Sequence, residues 1–402
     1  MLRIRVGDFK LGKKEENIIK HVLDIGRLSE GVKVREFEEK WAEFIGTKYC
    51  VVVNSGTSAL IAGLHALKYL FKIKDKAKVI TSPLTFIATV NAIVTSGLQP
   101  LFADVDRETF VIKPEDIERI ARKEDEAAII LPVHLMGYPA DMARINEIAK
   151  RYNLLVMEDA AQAHGTFYKN KKLGTYSMLA CFSFYIAHNV QAGEMGAVVT
   201  DNYEVYKLIK KIKAHGRMCD CPVCTRSESK CPRLNAYKGE EDFDPRFYHD
   251  IVGFNFKAME FQAALGLVQL ENVENILKKR KANVAYLNQG LTPFSNILQL
   301  PKYSQDISYL AYPLVIKDPG VISRRVLRQK LEESGIETRP LFGCIPTQQP
   351  AYAYLKEKYK GKLPNAEYIG ANGFYIGCHQ YLKKSDLDFI ISIFHKIFKG
   401  IK

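Results

Sequence analysis

The sequence holds no run approaching the roughly 18 apolar residues that a membrane-spanning helix needs. Its opening residues, MLRIRVGDFKLGKKEEN, contain no unbroken apolar stretch of the secretory type. We therefore expect a soluble, cytoplasmic protein with no membrane partner. Internal repeats and low-complexity tracts are missing too, which excludes a repeat array. Acid is the scarcer charge: Asp plus Glu number 45 against 58 Lys plus Arg, a formal net charge of +13. The excess base is spread along the chain except at 207–238, where nine Lys/Arg face only Asp220 and Glu228. No RNA- or DNA-binding motif accompanies it, so no nucleic-acid partner is expected. That stretch reads either as solvated surface or as attraction for an acidic partner or a phosphate-bearing substrate. Lysine is absent from residues 173–206 altogether.

What is present is globular. Apolar residues make up 47% and aromatics 11% of 402 residues, enough for a large core and two or three domains. Tyr49–Val53 (YCVVV) reads as a buried strand, and Leu60, Leu64, Leu67 and Phe71 follow at helical spacing. Further strands are expected at 78–82, 99–103, 127–133, 154–158, 180–185 and 197–200, with helices near 86–96, 114–122 and 141–152. This alternation predicts an α/β fold, a mostly parallel sheet covered by helices. Met259, Ala263, Leu267, Leu270 and Val273 form one face of an expected long helix running into the basic stretch LKKRKAN. It leads to a smaller α+β carboxyl-terminal domain, with a strand at 309–316 and helices near 321–334 and 385–399. We expect a large domain over 1–260, including an irregular insert at 217–250, and a linker helix with small domain over 261–402.

Three segments carry candidate chemistry. Asn54-Ser55-Gly56-Thr57-Ser58 follows a buried strand and opens a helix. Free N–H groups, hydroxyls and a glycine there suit a phosphate, although Ser before a helix is as readily an ordinary cap. Glu158-Asp159-Ala160-Ala161-Gln162 closes another strand, where α/β sheets bind ligands. A carboxylate there either holds a protonated ring nitrogen or caps the next turn. The third segment is Ser183-Phe184-Tyr185-Ile186-Ala187-His188, with Gly193-Glu194-Met195-Gly196 after it.

These segments, with LSEGVKVREFEEKWAEFIGTKYCVVVNSGTSAL, TSPLTFIATVNAI, MEDAAQAHG and VGFNFKAMEFQAALGLVQL, resemble the DegT/DnrJ/EryC1/StrS sugar aminotransferase family. The resemblance covers nearly the whole chain. It implies fold type I, the fold of pyridoxal-phosphate enzymes acting on nucleotide-linked keto sugars. The family's Schiff-base lysine position is occupied here by His188. Imidazole cannot tether pyridoxal, but it can move a proton. In this the chain resembles the pyridoxamine 5′-phosphate-dependent 3-dehydratases of nucleotide-linked 4-keto-6-deoxyhexoses, as does the tract GIETRPLFGCIPTQQPAY at 335–352.

The resemblance implies a role for each matching position. Gly56, Thr57, Ser58 and Ser183 would bind the cofactor phosphate, and Phe86 would stack on the ring. Asp159 would keep the ring nitrogen protonated, and Gln162 would lie near the 3-hydroxyl. His188 would take the proton that lets the sugar C3 hydroxyl leave. Asn255 would reach the neighbouring subunit's cofactor phosphate, implying a homodimer. Met195 stands where the family prefers glycine. The alternatives are a nucleotide-sugar aminotransferase and a non-catalytic sugar-binding homologue with a structural zinc.

Of eight cysteines, four (Cys219, Cys221, Cys224 and Cys231) fall within thirteen residues. In a reducing compartment such clustering predicts metal, either zinc or an iron–sulfur cluster. Cys219, Cys221 and Cys231 resemble the ligand trio of an iron–sulfur-dependent subgroup of 3-dehydratases. Ala161 occupies that subgroup's further ligand position, for which Cys224 is the candidate local substitute. A 2Fe–2S cluster is favoured over zinc; it would need an electron-transfer reductase, which 207–238 could dock. Cys50 and Cys181 are expected in the core, and His134, His164, His215, His249 and His379 are expected to be structural.

Overall fold

The computed structural model describes residues 2–219, 221, 231 and 247–399. Seven strands form the main sheet, in the order β1-β9-β8-β5-β4-β2-β3. They are β1 (Tyr49–Val53), β2 (Lys78–Thr81), β3 (Gln99–Phe102), β4 (Ala127–Leu131), β5 (Leu155–Asp159), β8 (Leu179–Ser183) and β9 (Gly196–Thr200). A two-stranded hairpin, β6 (Phe167–Tyr168) and β7 (Lys171–Lys172), interrupts the series. Strand β9 runs antiparallel to both its neighbours, and the remaining pairs are parallel. The mixed α/β fold expected from the sequence is therefore the one observed. The strands read as continuous apolar runs because both sheet faces are covered.

Helices α1 (Lys13–Ile25), α2 (Val32–Ile45), α3 (Gly56–Phe71), α4 (Ile87–Thr95), α5 (Pro114–Ala121), α6 (Met142–Arg151) and α7 (Tyr203–Ile212) accompany these strands. In α3, Leu60, Leu64 and Leu67 are buried, while Phe71 in the last turn is exposed.

Helices α8 (Glu260–Glu271) and α9 (Val273–Leu291) replace the single long helix that the apolar spacing suggested. The chain breaks at Asn272 (φ −110°, ψ 12°). There the backbone N–H turns to the Gln269 carbonyl at 3.1 Å, and the side-chain oxygen accepts from Asn275 Nδ2 at 2.8 Å. Asparagine offers the backbone such local alternatives, so it ends a helix that periodicity alone would continue.

A four-stranded antiparallel sheet follows, ordered β10 (Leu298–Gln299), β11 (Tyr312–Ile316), β13 (Gly373–Ile376) and β12 (Arg339–Pro340). Strand β11 starts three residues later than expected because Tyr309 has a positive φ of 41°. Helices α10 (Arg324–Glu333) and α11 (Pro364–Asn372) pack with this sheet, and α12 (Lys384–Lys399) packs against α9 and α10. Among the described residues no helix is long and apolar enough to cross a membrane.

Helix α2 begins at Gly31, which has no side chain to cap it. Buried Glu260, the first residue of α8, does this instead. Its carboxylate accepts from the N–H groups of Gly31 (2.8 Å), Lys33 (2.9 Å) and Val34 (3.0 Å). A charged acceptor satisfying helix-start donors also matches the helix dipole. We predict that Glu260→Ala lowers unfolding stability by about 3 kcal/mol in urea titrations. An unchanged midpoint would show that this clamp is dispensable.

Candidate active site

The parallel strands end at a cavity of about 950 Å3, walled by both sheets' connecting segments. Each wall can be traced to a local cause. Strand β5 delivers Asp159, only 4% exposed. Its Oδ2 accepts from Thr89 Oγ1 at 2.7 Å and its Oδ1 from the Ala161 N–H at 3.2 Å. Thr89 is linked in turn to Thr85 at 2.8 Å, one helical turn back. Burial pushes the Asp159 carboxyl pKa up, while Thr89, the Ala161 N–H and His134 act against it. Among the described residues no cationic side chain pairs with it. The adjacent Glu158 points to the other face. There it accepts from Gly174 N (2.9 Å) and Ser177 Oγ (2.8 Å) and meets His134 Nε2 (3.1 Å), so His134 is built into the core as expected.

The start of α3 forms another part of the wall. Ser55 caps it, its Oγ accepting from the Ser58 N–H at 3.1 Å. Gly56 is required there: a Cβ would come within 2.5 Å of Ser183 Cβ, where α3 meets the end of β8. Ser55, Gly56, Thr57 and Ser183 face the cavity together. Ser58, expected beside them, is buried behind the wall, its hydroxyl 3.0 Å from that of Ser55. Backbone N–H groups, hydroxyls and a long helix's positive end suit a phosphate. A buried carboxyl without a cationic partner among the described residues suits a protonated ring nitrogen. Phe86 lines the same cavity with its ring, 56% exposed, at the N-cap of α4. Gln162 lines the same space, its Oε1 accepting from the Met136 N–H at 2.9 Å. The donor set fits the phosphorylated pyridine that the resemblance implied.

His188 completes the wall. Its Nδ1 lies 2.7 Å from the Ser183 carbonyl oxygen. A carbonyl only accepts, so Nδ1 carries the proton and Nε2 keeps a lone pair. Burial pushes the imidazole down to about 4; the Ser183 carbonyl opposes this, and the Arg280 charge adds to it. At neutral pH the ring is therefore a neutral base. No lysine appears among the described residues lining the cavity.

Seven expected residues thus converge: Gly56, Thr57, Phe86, Asp159, Gln162, Ser183 and His188. Asn255 lies apart on the surface, its Oδ1 accepting from Lys257 Nζ at 2.7 Å. Cys219, Cys221 and Cys231 are half-buried, and Cys224 lies outside the described residues. Among the described residues no three His, Cys, Asp or Glu side chains gather as metal ligands. Cys50 and Cys181 are buried, as expected. Burial pushes the Cys344 and Cys378 thiols up to about 11, so both are unreactive at neutral pH.

Tyr185 and Glu194, from the third candidate segment, line the cavity too, and so do Thr89, Arg324, Arg339 and Tyr375, which sequence reasoning did not single out. Thr89 was legible in principle, three residues after Phe86 on the same helix. Arg339 sits in the quoted tract at 335–352. Arg324 and Tyr375 carry no local signal.

The fold and this cavity define a pyridoxal-phosphate-type sugar-modifying family: the chain belongs to the DegT/DnrJ/EryC1/StrS aminotransferase family, matched over residues 10–395. It is 34% identical over 398 residues to the lipopolysaccharide biosynthesis protein RfbH of Salmonella typhimurium, covering 96% of this chain and 90% of that one. It is 33% identical over 361 residues to GDP-perosamine synthase of Escherichia coli O157:H7, covering 90% and 89%. In structure it resembles the E. coli GDP-4-keto-6-deoxy-D-mannose-3-dehydratase with bound hydrated pyridoxal phosphate. That match has a TM-score of 0.86 and 26% identity and covers 98% of this chain and 99% of that one.

A histidine kept neutral by folding makes stability depend on pH. The folded His188 value is about 4, below the ordinary value of about 6.5, so the unfolded chain binds more protons between them. Stability is full above about pH 6.5 and falls as pH drops toward 4. We predict that His188→Asn recovers roughly 2 kcal/mol of the loss between pH 7 and 4.5 in paired urea titrations. Parallel pH profiles for the two proteins would contradict a neutral buried imidazole.

Proposed function

We propose that the protein is a pyridoxamine-phosphate-dependent 3-dehydratase acting on a nucleotide-linked 4-keto-6-deoxyhexose. The observation that carries this reading is His188 in a cavity whose described lining holds no lysine. An aminotransferase of this fold needs an amine to tether the cofactor between turnovers, and imidazole cannot serve. The solved dehydratase with bound hydrated pyridoxal phosphate supports the same reading.

When bound, pyridoxamine phosphate supplies a primary amine for the sugar's C4 ketone and a ring that accepts electrons. Ser55, Gly56, Thr57 and Ser183 hold its phosphate, with Ser58 bracing the cap. Phe86 would stack on the ring, and Gln162 would lie near its 3-hydroxyl. Asp159 keeps the ring nitrogen protonated, oriented by Thr89. His188 Nε2, the ring nitrogen that keeps its lone pair, would be the base that moves a proton beside the bound cofactor and would give it up to the departing C3 hydroxyl. Arg324 and Arg339 line the same cavity and suit the diphosphate of a nucleotide sugar.

We further infer a homodimer. Leu23, Ile25, Leu28, Val32 and Met259 are exposed together where Ser29 bridges Met259, a face suited to a second copy. Exposed Asn255 would then serve the neighbouring site. Residues 1–260 would form the cofactor-holding unit and 261–402 the linker and small domain. Cys219, Cys221, Cys224 and Cys231 would hold a 2Fe–2S cluster, with zinc as the alternative, and the basic stretch 207–238 would dock an acidic reductase. The relationship to GDP-perosamine synthase supports an aminotransferase as the second reading.

Anaerobically purified protein with pyridoxamine phosphate, reductant and GDP- or CDP-linked 4-keto-6-deoxyhexose separates the two readings by product mass. We expect the wild type to remove the C3 oxygen, His188→Lys to lose this activity, and the purified protein to show iron–sulfur absorption. Formation of a 4-amino sugar from glutamate by the wild type would overturn the dehydratase assignment. A colourless, zinc-bearing protein would overturn the cluster.

A further inference from the structure

Within the basic stretch LKKRKAN, Arg280 differs from a solvated charge. It is 0% exposed on helix α9, and among the described residues its guanidinium has no carboxylate partner. Its donors go to neutral oxygens instead. Nη1 donates to the Leu310 carbonyl at 2.7 Å, Nη2 to the His188 carbonyl at 3.2 Å and Nε to Gln380 Oε1 at 3.1 Å. Leu310 and His188 both line the cavity, whereas Arg280 does not. One planar fork thus fastens two segments of the cavity wall from behind.

Neighbouring contacts repeat the joint. Asn189 Nδ2 donates to the Ser308 carbonyl at 2.8 Å. Asn283, nearly one turn along α9, donates to the carbonyls of Cys378 (3.1 Å) and His379 (3.0 Å). A fully buried guanidinium without an acid is costly, and an apolar side chain of similar volume would fill the space more cheaply. The fixed fork geometry is what such a side chain lacks.

We propose that Arg280 is a positioning residue for His188: its guanidinium ties the His188 carbonyl to the Leu310 carbonyl and so holds the imidazole against the cavity. This rests on His188 being the proton-transfer group assigned above. The charge acts in the same sense as the geometry, since Arg280 adds to the burial that keeps the His188 ring neutral. The other ionisable rings against His188 are those of His164 and Tyr185, each with its centroid 6.0 Å away.

The test follows the His188 imidazole directly by NMR of protein with 15N-labelled histidine, its signal assigned by loss in His188→Asn. In the wild type we expect one tautomer, protonated at Nδ1. In Arg280→Met we expect tautomer-averaged shifts and a titration midpoint raised toward the ordinary histidine value. Pyridoxamine-phosphate affinity should stay within about twofold, while kcat for dehydration falls about 100-fold, the scale of a misplaced reacting group. Arg280→Lys, which keeps the charge and loses the fork, should recover the titration midpoint but not the single tautomer.

If Arg280→Met does not fold, Gln380→Leu, which removes only the Nε acceptor, carries the same readout with the same expected direction. A folded Arg280→Met or Gln380→Leu protein with the wild-type His188 spectrum would overturn the proposal. A shifted spectrum in a protein that dehydrates neither sugar would leave the clamp standing and sink the assigned reaction instead.

Discussion

The chemistry of this cavity depends on one hydrogen bond, from His188 Nδ1 to the Ser183 carbonyl at 2.7 Å. It fixes which ring nitrogen carries the proton, and burial keeps the other as an uncharged base. A lysine at this position would be a flexible nucleophile able to bond the cofactor carbon. A histidine so held would, in the reaction proposed above, only exchange protons with it. The buried Asp159, oriented by Thr89 and the Ala161 N–H, offers a carboxyl group with no cationic side chain paired to it among the described residues. In the reaction proposed above, one of these groups would hold a proton on the ring and the other would move one.

The scaffold brings these groups together by close approach. Strand β8 ends against the first residue of α3, at a distance only Gly56 permits, so the phosphate-suited helix start and the Ser183–His188 segment share one corner. Behind the sheet, Glu260 joins α8 to the start of α2, and buried Lys213 binds Glu30, Glu38 and the Val52 carbonyl. Such internal charges are retained where they fasten separate segments, because leaving any one unpaired would be strongly destabilising.

Much of this was legible in the sequence. The strands of the main sheet announce themselves as short apolar runs between helical patterns, and Asp159, Phe86 and His188 lie in contiguous motifs. The break at Asn272 was hidden because apolar spacing continues through it, and only side-chain competition for the backbone ends the helix. Ser58 looked equivalent to Thr57, but capping geometry turned it inward. Arg324 and Tyr375 come from the second sheet and its helices, and only tertiary folding carries them to the cavity. The LKKRKAN stretch reads as surface by composition, yet one of its residues is fully buried behind His188. Sequence pattern reports local structure and charge, but not which distant carbonyls a guanidinium will find.

The most direct test of an untethered cofactor is chemical. Full-length protein is loaded with pyridoxal phosphate, reduced with borohydride, and examined by intact mass and peptide mapping. A base that only moves protons predicts no cofactor bonded to any side chain lining the cavity. A reduced, covalently attached pyridoxyl group on a cavity residue of the wild-type protein would contradict it.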